Sequence, residues 1–375
     1  MAKIRIAIAG IGNCASALIQ GISFYSKSSR RSVPGLMHPS LGGYSLKDIT
    51  IVAAFDIDRR KVGKTLTQAI FALPNCTATI TTNIINPRLP VHMGPILDSI
   101  APHMRDLPPE KSFLPASRQP VDVVKLLRQS RADMLVNFLP VGSQKATEFY
   151  VQSALTAGIG FINCIPVFIA SDPNWAKKFT QSQLPIIGDD VKSQVGATIT
   201  HRVLAQLFQD RGVILDRTYQ LNIGGNTDFS NMLDRSRLAS KKQSKTEAVR
   251  SLLKTKLTDS NIHIGPSDFV PWLNDQKVAY IRMEGRKFGD LPLVMETRLQ
   301  VEDSYNSAGV VVDMIRCLKL ALDRHLSGPL IGPSAYFCKH PPRQFFDEQA
   351  RQLVEEFTAG KTTKLHTAVS VNHLD

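Results

Sequence analysis

The 375-residue sequence has few cysteines, no long hydrophobic run and fewer acidic than basic residues. Its five cysteines are an odd number and include no CxxC pair, which argues against a disulfide framework and against a zinc site. We therefore expect a reduced, cytoplasmic protein. No run approaches the roughly 20 apolar residues that a bilayer-spanning helix needs, so we expect no membrane partner. The sequence starts directly with a predicted strand, without a signal peptide, and contains no HExxH or Ser/His/Asp pattern.

The excess of basic residues gives a formal net charge of +13. Such a charge is typical of proteins that bind nucleic acid or an anionic membrane, and of enzymes that attract small anions such as sugar phosphates. It is equally compatible with a solvated basic surface. Basic residues are spread along the chain except for a cluster over 235–256, and no nucleic-acid-binding motif surrounds them. We expect a small-molecule substrate and no nucleic-acid partner.

Short β-branched segments alternate with amphipathic helices through the first 200 residues. Apolar runs bounded by glycine are typical of buried parallel strands, and the segments between them carry apolar residues at helical spacing. This alternation predicts an α/β fold with a Rossmann-type doubly wound parallel sheet. The predicted strands cover Ile4–Ala9, Ile49–Phe55, Met134–Leu139, Phe161–Ile165 and Leu184–Gly188.

From about Thr218 the hydrophobic period changes to two, most clearly over 293–302. Alternation of this kind predicts a largely antiparallel sheet with one solvent-exposed face. A helical pattern returns over 311–322. We therefore predict a nucleotide-binding domain over 1–199, an inserted α+β domain over 200–305, and a C-terminal segment over 306–375 that completes the first domain.

The first predicted strand runs into Gly10-x-Gly12-x-x-Ala15 and then into a helix. This is the glycine-rich fingerprint of a dinucleotide site, with alanine at the last position. Asp56 ends the second strand, where a carboxylate binds the ribose hydroxyls of adenosine and favours NAD over NADP. Asp56 lies far beyond the usual spacing of about 20 residues, so a loop must intervene. The alternative is that Asp56 is only a turn residue.

A second polar segment, Asp189–Thr198, follows a short strand and runs into an apolar helix. The free N–H groups and the dipole of a helix N-terminus favour a phosphate, so this segment predicts an anion site. Leu139–Ser143 and Asn163 also follow strands, at the edge where α/β sheets bind ligands, although a tight turn explains them equally well. Two phosphate-handling elements predict a nucleotide cofactor and a phosphorylated substrate.

Lys241 and Lys245 lie four residues apart and would share one helix face. Like charges at this spacing repel each other, and the pair becomes favourable when an anion or a developing oxyanion lies between them. The alternative is a solvated face. Asn222–Asp228 ends a strand with glycines and a carboxylate, which indicates either the rim of a site or a hairpin.

Taken together, these motifs resemble those of the inositol-3-phosphate synthase family, also called myo-inositol-1-phosphate synthase, and most closely its shorter bacterial and archaeal branch. The resemblance spans nearly the whole chain. The segments that carry it are Gly10–Ala17, Val33–Met37, Ala53–Asp58, Gly188–Thr198, Asn222–Asp228, Ser240–Thr246, Val301–Gly309 and Lys339.

The resemblance implies a redox-neutral conversion of D-glucose 6-phosphate to 1D-myo-inositol 3-phosphate. In the family, bound NAD takes a hydride from C5, C6 is enolised and attacks the C1 aldehyde, and the hydride is then returned. Each step develops negative charge on oxygen, which preorganised ammonium groups stabilise, and a lysine with a depressed pKa can move protons. The resemblance further implies a homotetramer built around the inserted sheet, and it allows for a divalent metal or ammonium ion beside NAD.

Residue by residue, the resemblance implies that Lys241 lies near the nicotinamide and that Lys245 assists enolisation and aldol closure. Lys339 would stabilise the C1 or C5 oxygen, and Asp303 would orient substrate. The predicted cofactor-binding residues are Gly10, Gly12, Asn13, Cys14, Asp56, Pro140, Val141, Tyr150, Asn163, Asp190, Ser193, Asp228 and Lys241.

The chain departs from the family pattern at Gly289–Pro292, where longer members carry another lysine after a Gly-Asp pair. Two other functions are compatible with the sequence. One is an NAD-dependent sugar-phosphate dehydrogenase, which would release NADH. The other is a non-catalytic NAD-sensing or nucleic-acid-binding protein, which would bind DNA or RNA in a strongly salt-dependent way.

Overall fold

The computed structural model describes residues 3–26, 34–237, 239–253 and 257–361. Val33, in one of the segments that carry the family resemblance, lies outside these ranges. The described helices are α1 Asn13–Tyr25, α2 Leu66–Ile70, α3 Val123–Gln129, α4 Gln144–Ala157, α5 Pro173–Gln181, α6 Ala197–Asp210, α7 Thr227–Asn231, α8 Ala239–Arg250, α9 Asp303–Asp323, α10 Ile331–Phe337 and α11 Asp347–Thr358. Within the described ranges, none of them is both long and apolar enough to cross a lipid bilayer.

The larger sheet is parallel and confirms the predicted Rossmann-type fold. Its strands are β1 Ile4–Ala9, β2 Ile49–Asp56, β3 Val91–Met93, β4 Met134–Asn137, β5 Gly160–Asn163, β6 Pro185–Ile187 and β11 Gly328–Pro329. They are arranged in the order β11-β6-β5-β4-β1-β2-β3. The order reverses direction between β1 and β4, and the crevice at such a switch point is where α/β sheets bind ligands.

Two predicted strands end earlier than expected. β4 stops at Asn137 and β5 at Asn163, two residues before the predicted ends. The two buried amides hydrogen-bond to each other at 3.0 Å, and Asn137 Oδ1 also accepts the N–H of Leu139. These side-chain bonds turn the chain out of the sheet, so the following residues become available to line the crevice.

The smaller sheet is largely antiparallel, as the period-two pattern predicted, but β7 and β8 pair in parallel. Its strands are β7 Ile214–Gly224, β8 Ile262–Phe269, β9 Gln276–Lys287 and β10 Leu291–Glu302, in the order β10-β9-β7-β8. One face packs against α6 and α8 through residues such as Phe208 and Val249. The opposite face exposes Tyr219, Leu221 and Tyr280.

The predicted segment boundaries after residues 199 and 305 fall inside α6 and α9 rather than between elements. α9 belongs to both parts of the molecule. Ser304, at its start, contacts Asp275 just before β9, whereas Val311 and Ile315 belong to the hydrophobic core that includes α1. A continuous helix therefore contacts both sheets' parts of the molecule.

Candidate active site

One cavity lies at the carboxyl edge of the larger sheet and is also lined by residues from the loops and helices around the smaller sheet. The segment over 95–113, predicted to be irregular, covers one side of it through Pro95, Ser99 and Phe113. All the predicted site residues except Asn163 line this cavity. They are Gly10, Gly12, Asn13, Cys14, Asp56, Pro140, Val141, Tyr150, Asp190, Ser193, Asp228, Lys241, Lys245, Asp303 and Lys339.

The glycine turn after β1 has the geometry that a dinucleotide site needs. Gly10 has a φ of +87°, and a Cβ there would lie 2.7 Å from the carbonyl oxygen of Phe138. Gly12 has open space where its Cβ would be, on the cavity side. α1 begins at the next residue with no acidic side chain in its first turn. The unpaired N–H groups and the dipole of this helix start therefore favour a diphosphate, and the turn fits a dinucleotide.

Asp56 stabilises this turn through hydrogen bonds and also lines the cavity. Its Oδ2 accepts the N–H of Ile11 at 2.7 Å, and its Oδ1 accepts the N–H groups of Ile57 and Asp58. Lys61, which sequence reasoning missed, donates from Nζ to the carbonyl of the same Ile11 at 2.8 Å. Ile11 is therefore held at its N–H by Asp56, at the end of β2, and at its carbonyl by Lys61, just after β2. No pattern in the sequence separates Lys61 from the neighbouring basic residues.

The structure separates two adjacent carboxylates that the sequence treats alike. Asp189 is buried behind the cavity, where its oxygens accept the N–H of Ile169 at 2.9 Å and the hydroxyl of Ser171 at 2.8 Å. Asn163 donates to the same carboxylate at 2.7 Å and to the carbonyl of Val167. Asn163 does not line the cavity, because its amide holds the loop after β5, so the structure offers no support for its predicted contact with the cofactor.

Lys192 also points away from the cavity. Its Nζ donates to the carbonyl of Ala335 at 2.8 Å and lies 3.3 Å from Asp347. The two residues of this segment that were predicted to bind the cofactor, Asp190 and Ser193, line the cavity, whereas Asp189 and Lys192 do not. Successive side chains therefore leave the short segment before α6 in different directions.

Asp190 is the centre of the charged cluster. It has a left-handed backbone φ of 61° and is almost fully buried. Its carboxylate accepts the hydroxyl of Ser244 at 2.7 Å and Lys339 Nζ at 3.0 Å, and Lys241 Nζ lies 3.6 Å away. Burial alone would raise the pKa of Asp190, but the two ammonium groups hold it well below its usual value. Asp190 is therefore a permanent anion at neutral pH.

The lysines around Asp190 differ in protonation. Burial lowers the pKa of Lys245 well below its usual value, and the nearby charges of Lys241, Lys277 and Lys339 act in the same direction. Burial also lowers the pKa of Lys339, with Asp190 opposing it. Lys241 is the reverse case, because Asp190, then Asp228 and Asp303, outweigh burial and raise its pKa. The cavity thus contains a fixed ammonium beside an amine that loses its proton readily.

Lys277 is another cavity lysine that was not predicted from the sequence. It lies on β9, and its Nζ is 3.2 Å from Asp303 Oδ1 at the start of α9. The departure from the family pattern at Gly289–Pro292 does not affect the cavity, because this segment joins β9 to β10 beside Phe288, which is 98% exposed, and does not line the cavity. The available signal was the carboxylate two residues before the lysine, in Asp275-Gln276-Lys277.

The arrangement suits a substrate on which negative charge develops at oxygen. Five lysines and four carboxylates line one partly enclosed cavity next to a dinucleotide turn. Ammonium groups fixed in such a site stabilise an oxyanion more than water does, because they need no reorganisation. In the part of the chain that the structure describes, no group of three or more His, Cys, Asp or Glu residues is arranged to hold a metal ion.

Comparison with known proteins agrees with this geometry. The family model for myo-inositol-1-phosphate synthase matches residues 196–304. The chain is 53% identical over 367 residues to the inositol-3-phosphate synthase of Mycolicibacterium smegmatis, covering 96% of this chain and 98% of that protein. It is 54% identical over 363 residues to the corresponding enzyme of Mycobacterium tuberculosis, with 96% of each covered. A myo-inositol-1-phosphate synthase-related protein from Thermotoga maritima shares the fold, with a TM-score of 0.77 at 24% identity over 95% of this chain and 98% of that one.

Proposed function

The chain belongs to the myo-inositol-1-phosphate synthase family, and we propose that it converts D-glucose 6-phosphate to 1D-myo-inositol 3-phosphate with NAD as a cofactor that is restored in each turnover. The observation that carries the proposal is the lysine cluster. A dehydrogenase needs one acid–base group beside its nicotinamide, whereas enolisation and aldol closure need several cations at separate oxygens. Lys241, Lys245, Lys277 and Lys339 supply them in one cavity.

The residues of the glycine turn fit NAD. Gly12 and the first N–H groups of α1 would hold its diphosphate, and Asp56 would accept hydrogen bonds from its adenosine ribose. Asp190 and Asp228 line the same cavity and would orient its nicotinamide end against the substrate. When bound, NAD would supply the hydride acceptor and donor that the reaction needs.

The lysines divide the remaining chemistry according to charge. Lys245, whose pKa burial depresses, is the group best suited to take a proton from C6 and to return one. Lys241 keeps its proton and would stabilise the oxygen at the carbon that is oxidised. Lys339 and Lys277, paired with Asp190 and Asp303, would stabilise the oxygens that carry charge during ring closure.

We also propose a homotetramer assembled on the smaller sheet. Its open face exposes apolar and aromatic side chains on neighbouring strands, including Leu221, which is 42% exposed, and Tyr280 beside it in the β7–β9 register. Patches of this kind on a sheet are typical of protein interfaces. The five cysteines are free thiols, which supports the proposed cytoplasmic location.

Substrate deuterated at C5 provides the decisive test of function. If the same carbon is oxidised and later reduced, the label is retained in the inositol phosphate and no NADH accumulates. Turnover is also slowed wherever hydride transfer limits the rate. Mass spectrometry of the product and absorbance at the NADH band measure both. Stoichiometric release of deuterated NADH would instead identify a sugar-phosphate dehydrogenase, and salt-dependent binding to DNA or RNA without turnover would identify a non-catalytic protein.

Asp56→Ala is expected to narrow the preference for NAD over NADP. The Asp56 carboxylate would repel a 2′-phosphate while accepting ribose hydroxyls, so the parent protein should use NAD far better than NADP. The substitution also frees the N–H of Ile11, so NAD affinity should fall as well. Calorimetric binding of each dinucleotide measures both effects, with Asp48→Ala, which lies outside the cavity, as the control. Equal affinity of the parent protein for both dinucleotides would contradict the role of Asp56.

A further inference from the structure

Arg202 lies on α6 outside the cavity, and its side chain is fully buried. Its Nε donates to Asp347 Oδ2, at the first residue of α11, at 2.7 Å, and its Nη2 donates to the carbonyl of Phe345 at 2.8 Å. Its Nη1 donates to the carbonyl of Ala248, near the end of α8. One planar group with a fixed fork of donors therefore joins α6 to α8 and to the start of α11.

The bond to Ala248 stabilises the end of the helix that carries two cavity lysines. The N–H of Leu252, which would continue α8 by donating to Ala248, donates to the carbonyl of Val249 instead at 3.2 Å. The last carbonyls of a helix need donors from outside it, and a cation at this end also complements the helix dipole. Arg202 supplies both, and Lys245 lies about one turn before Ala248 on the same helix.

The bond to Phe345 reaches the segment that follows another cavity lysine. Gln344 donates from Nε2 to the carbonyl of Lys339 at 2.7 Å and so closes the turn between these two residues. Phe345 is the next residue, so the guanidinium is attached to the end of this turn. Arg202 therefore binds both the helix that carries Lys245 and the segment that carries Lys339.

Asp347 holds the guanidinium in place and is shared with a second buried cation. Its Oδ1 lies 3.3 Å from Lys192 Nζ, which also donates to the carbonyl of Ala335 at 2.8 Å. Burial would raise the pKa of Asp347, but the charges of Lys192 and Arg202 lower it. Lys192 immediately precedes Ser193, which lines the cavity, so the same carboxylate also anchors the segment before α6.

We propose that Arg202 is a positioning residue that fixes the amines of Lys245 and Lys339 relative to each other, by binding α8 and the turn after Lys339 with one guanidinium. The inference rests on the proposed function and deepens it, because proton transfer and oxyanion stabilisation on one substrate need both amines at defined positions. Misplacement of a reacting group by about 1 Å costs roughly 100-fold in rate, so a residue that touches neither substrate nor cofactor can control turnover in this way.

The relative position of the two amines also affects the pKa of Lys245. Burial lowers this pKa most, and the charges of Lys241, Lys277 and Lys339 lower it further. Asp190 acts in the opposite direction. With Lys245 as the base, kcat falls as pH drops below this pKa, which gives the pH profile an acidic limb. If α8 is released from the junction, Lys245 is less closely held among these cations, so its pKa rises and the limb moves to higher pH.

The test is Arg202→Lys, which keeps the charge but replaces the fork with a single ammonium that cannot reach all three acceptors. We expect kcat to fall by roughly 10- to 100-fold with a KM change below about threefold, and the acidic limb to move to higher pH. Amide hydrogen exchange over 249–253 and 340–346 should become faster in the NAD-bound variant. Arg211→Lys, at an exposed arginine just after α6 that does not line the cavity, is the matched control.

Parent-like kcat or an unmoved acidic limb in Arg202→Lys would overturn the proposal, as would unchanged exchange in both segments. If that variant does not fold, Asp347→Asn tests the same junction, because it keeps the shape of the side chain but removes the charge that holds the guanidinium. The limb should then move in the same direction, and an unmoved limb is again contrary. A parent protein that forms no inositol phosphate would refute the proposed function instead, and the exchange comparison would still show whether Arg202 holds the two segments.

Discussion

Replacing Lys245 with methionine is expected to lower kcat by roughly 100-fold or more while leaving the free energy of unfolding unchanged or higher. The amine lies in the cavity at 6% exposure, where burial and three neighbouring lysines depress its pKa. Loss of a group that acts in the transition state lowers kcat. Loss of a buried cation among like charges removes an unfavourable contribution to the free energy of folding. Methionine has a similar length and carries no charge.

The pH dependence of the free energy of unfolding provides an independent test of Lys245→Met. Because the pKa of Lys245 is lower in the folded than in the unfolded chain, the unfolded chain binds more protons between the two values. Stability contributed by this group therefore rises with pH until the unfolded lysine also loses its proton, and Lys245→Met should lack that slope. Denaturant unfolding at neutral and alkaline pH measures it.

Lys242→Met is the matched control for Lys245→Met. Lys242 is the same residue type on the same helix, but it is exposed and does not line the cavity. Its replacement should change neither kcat nor stability beyond a few tenths of a kcal/mol. If Lys245→Met retained near wild-type turnover, the amine would have no part in proton transfer, and Lys339, whose pKa is also lowered, would be the next cavity lysine to test.

Asp190→Asn is expected to abolish measurable turnover and to destabilise the fold by about 3–5 kcal/mol. The carboxylate compensates Lys339 at 3.0 Å and Lys241 at 3.6 Å, and it accepts a hydrogen bond from Ser244. An amide in its place leaves two ammonium groups in a buried site without their counter-ion. The pKa of Lys241, which Asp190 raises, should then fall, so the variant loses the fixed cation as well.

Calorimetric or denaturant unfolding of Asp190→Asn measures the loss of stability, with the exposed Asp210→Asn on α6 as the control. The pKa of Asp190 also predicts how the difference in stability between parent and variant changes with pH. The pKa of Asp190 is depressed on folding, so its stabilisation is complete above the unfolded value near 4 and is lost as pH falls below it. The stability gap between parent and variant should therefore shrink in acid. A gap that is absent at neutral pH would show that the lysines are neutral in the resting site.

The sequence by itself determined the parts of this protein that depend on local pattern. The hydrophobic period predicts the buried strands and amphipathic helices, and glycine's freedom at positive φ predicts the Gly10-x-Gly12 turn. Both signals act over a few residues. Nearly all the predicted site residues also line the cavity, and many of them follow strand ends, because the carboxyl ends of parallel strands meet at one edge.

Only the tertiary structure decided what those residues can do. Asp189 and Asp190 are adjacent and chemically identical, yet one holds a loop and the other anchors two lysines, because the chain turns between them. Lys241 and Lys245 share one helix, yet the pKa of one is raised and that of the other lowered. Burial and charges from residues distant in sequence set these differences. For the same reason Lys277 could not be predicted, since its partner Asp303 on α9 is 26 residues away along the chain.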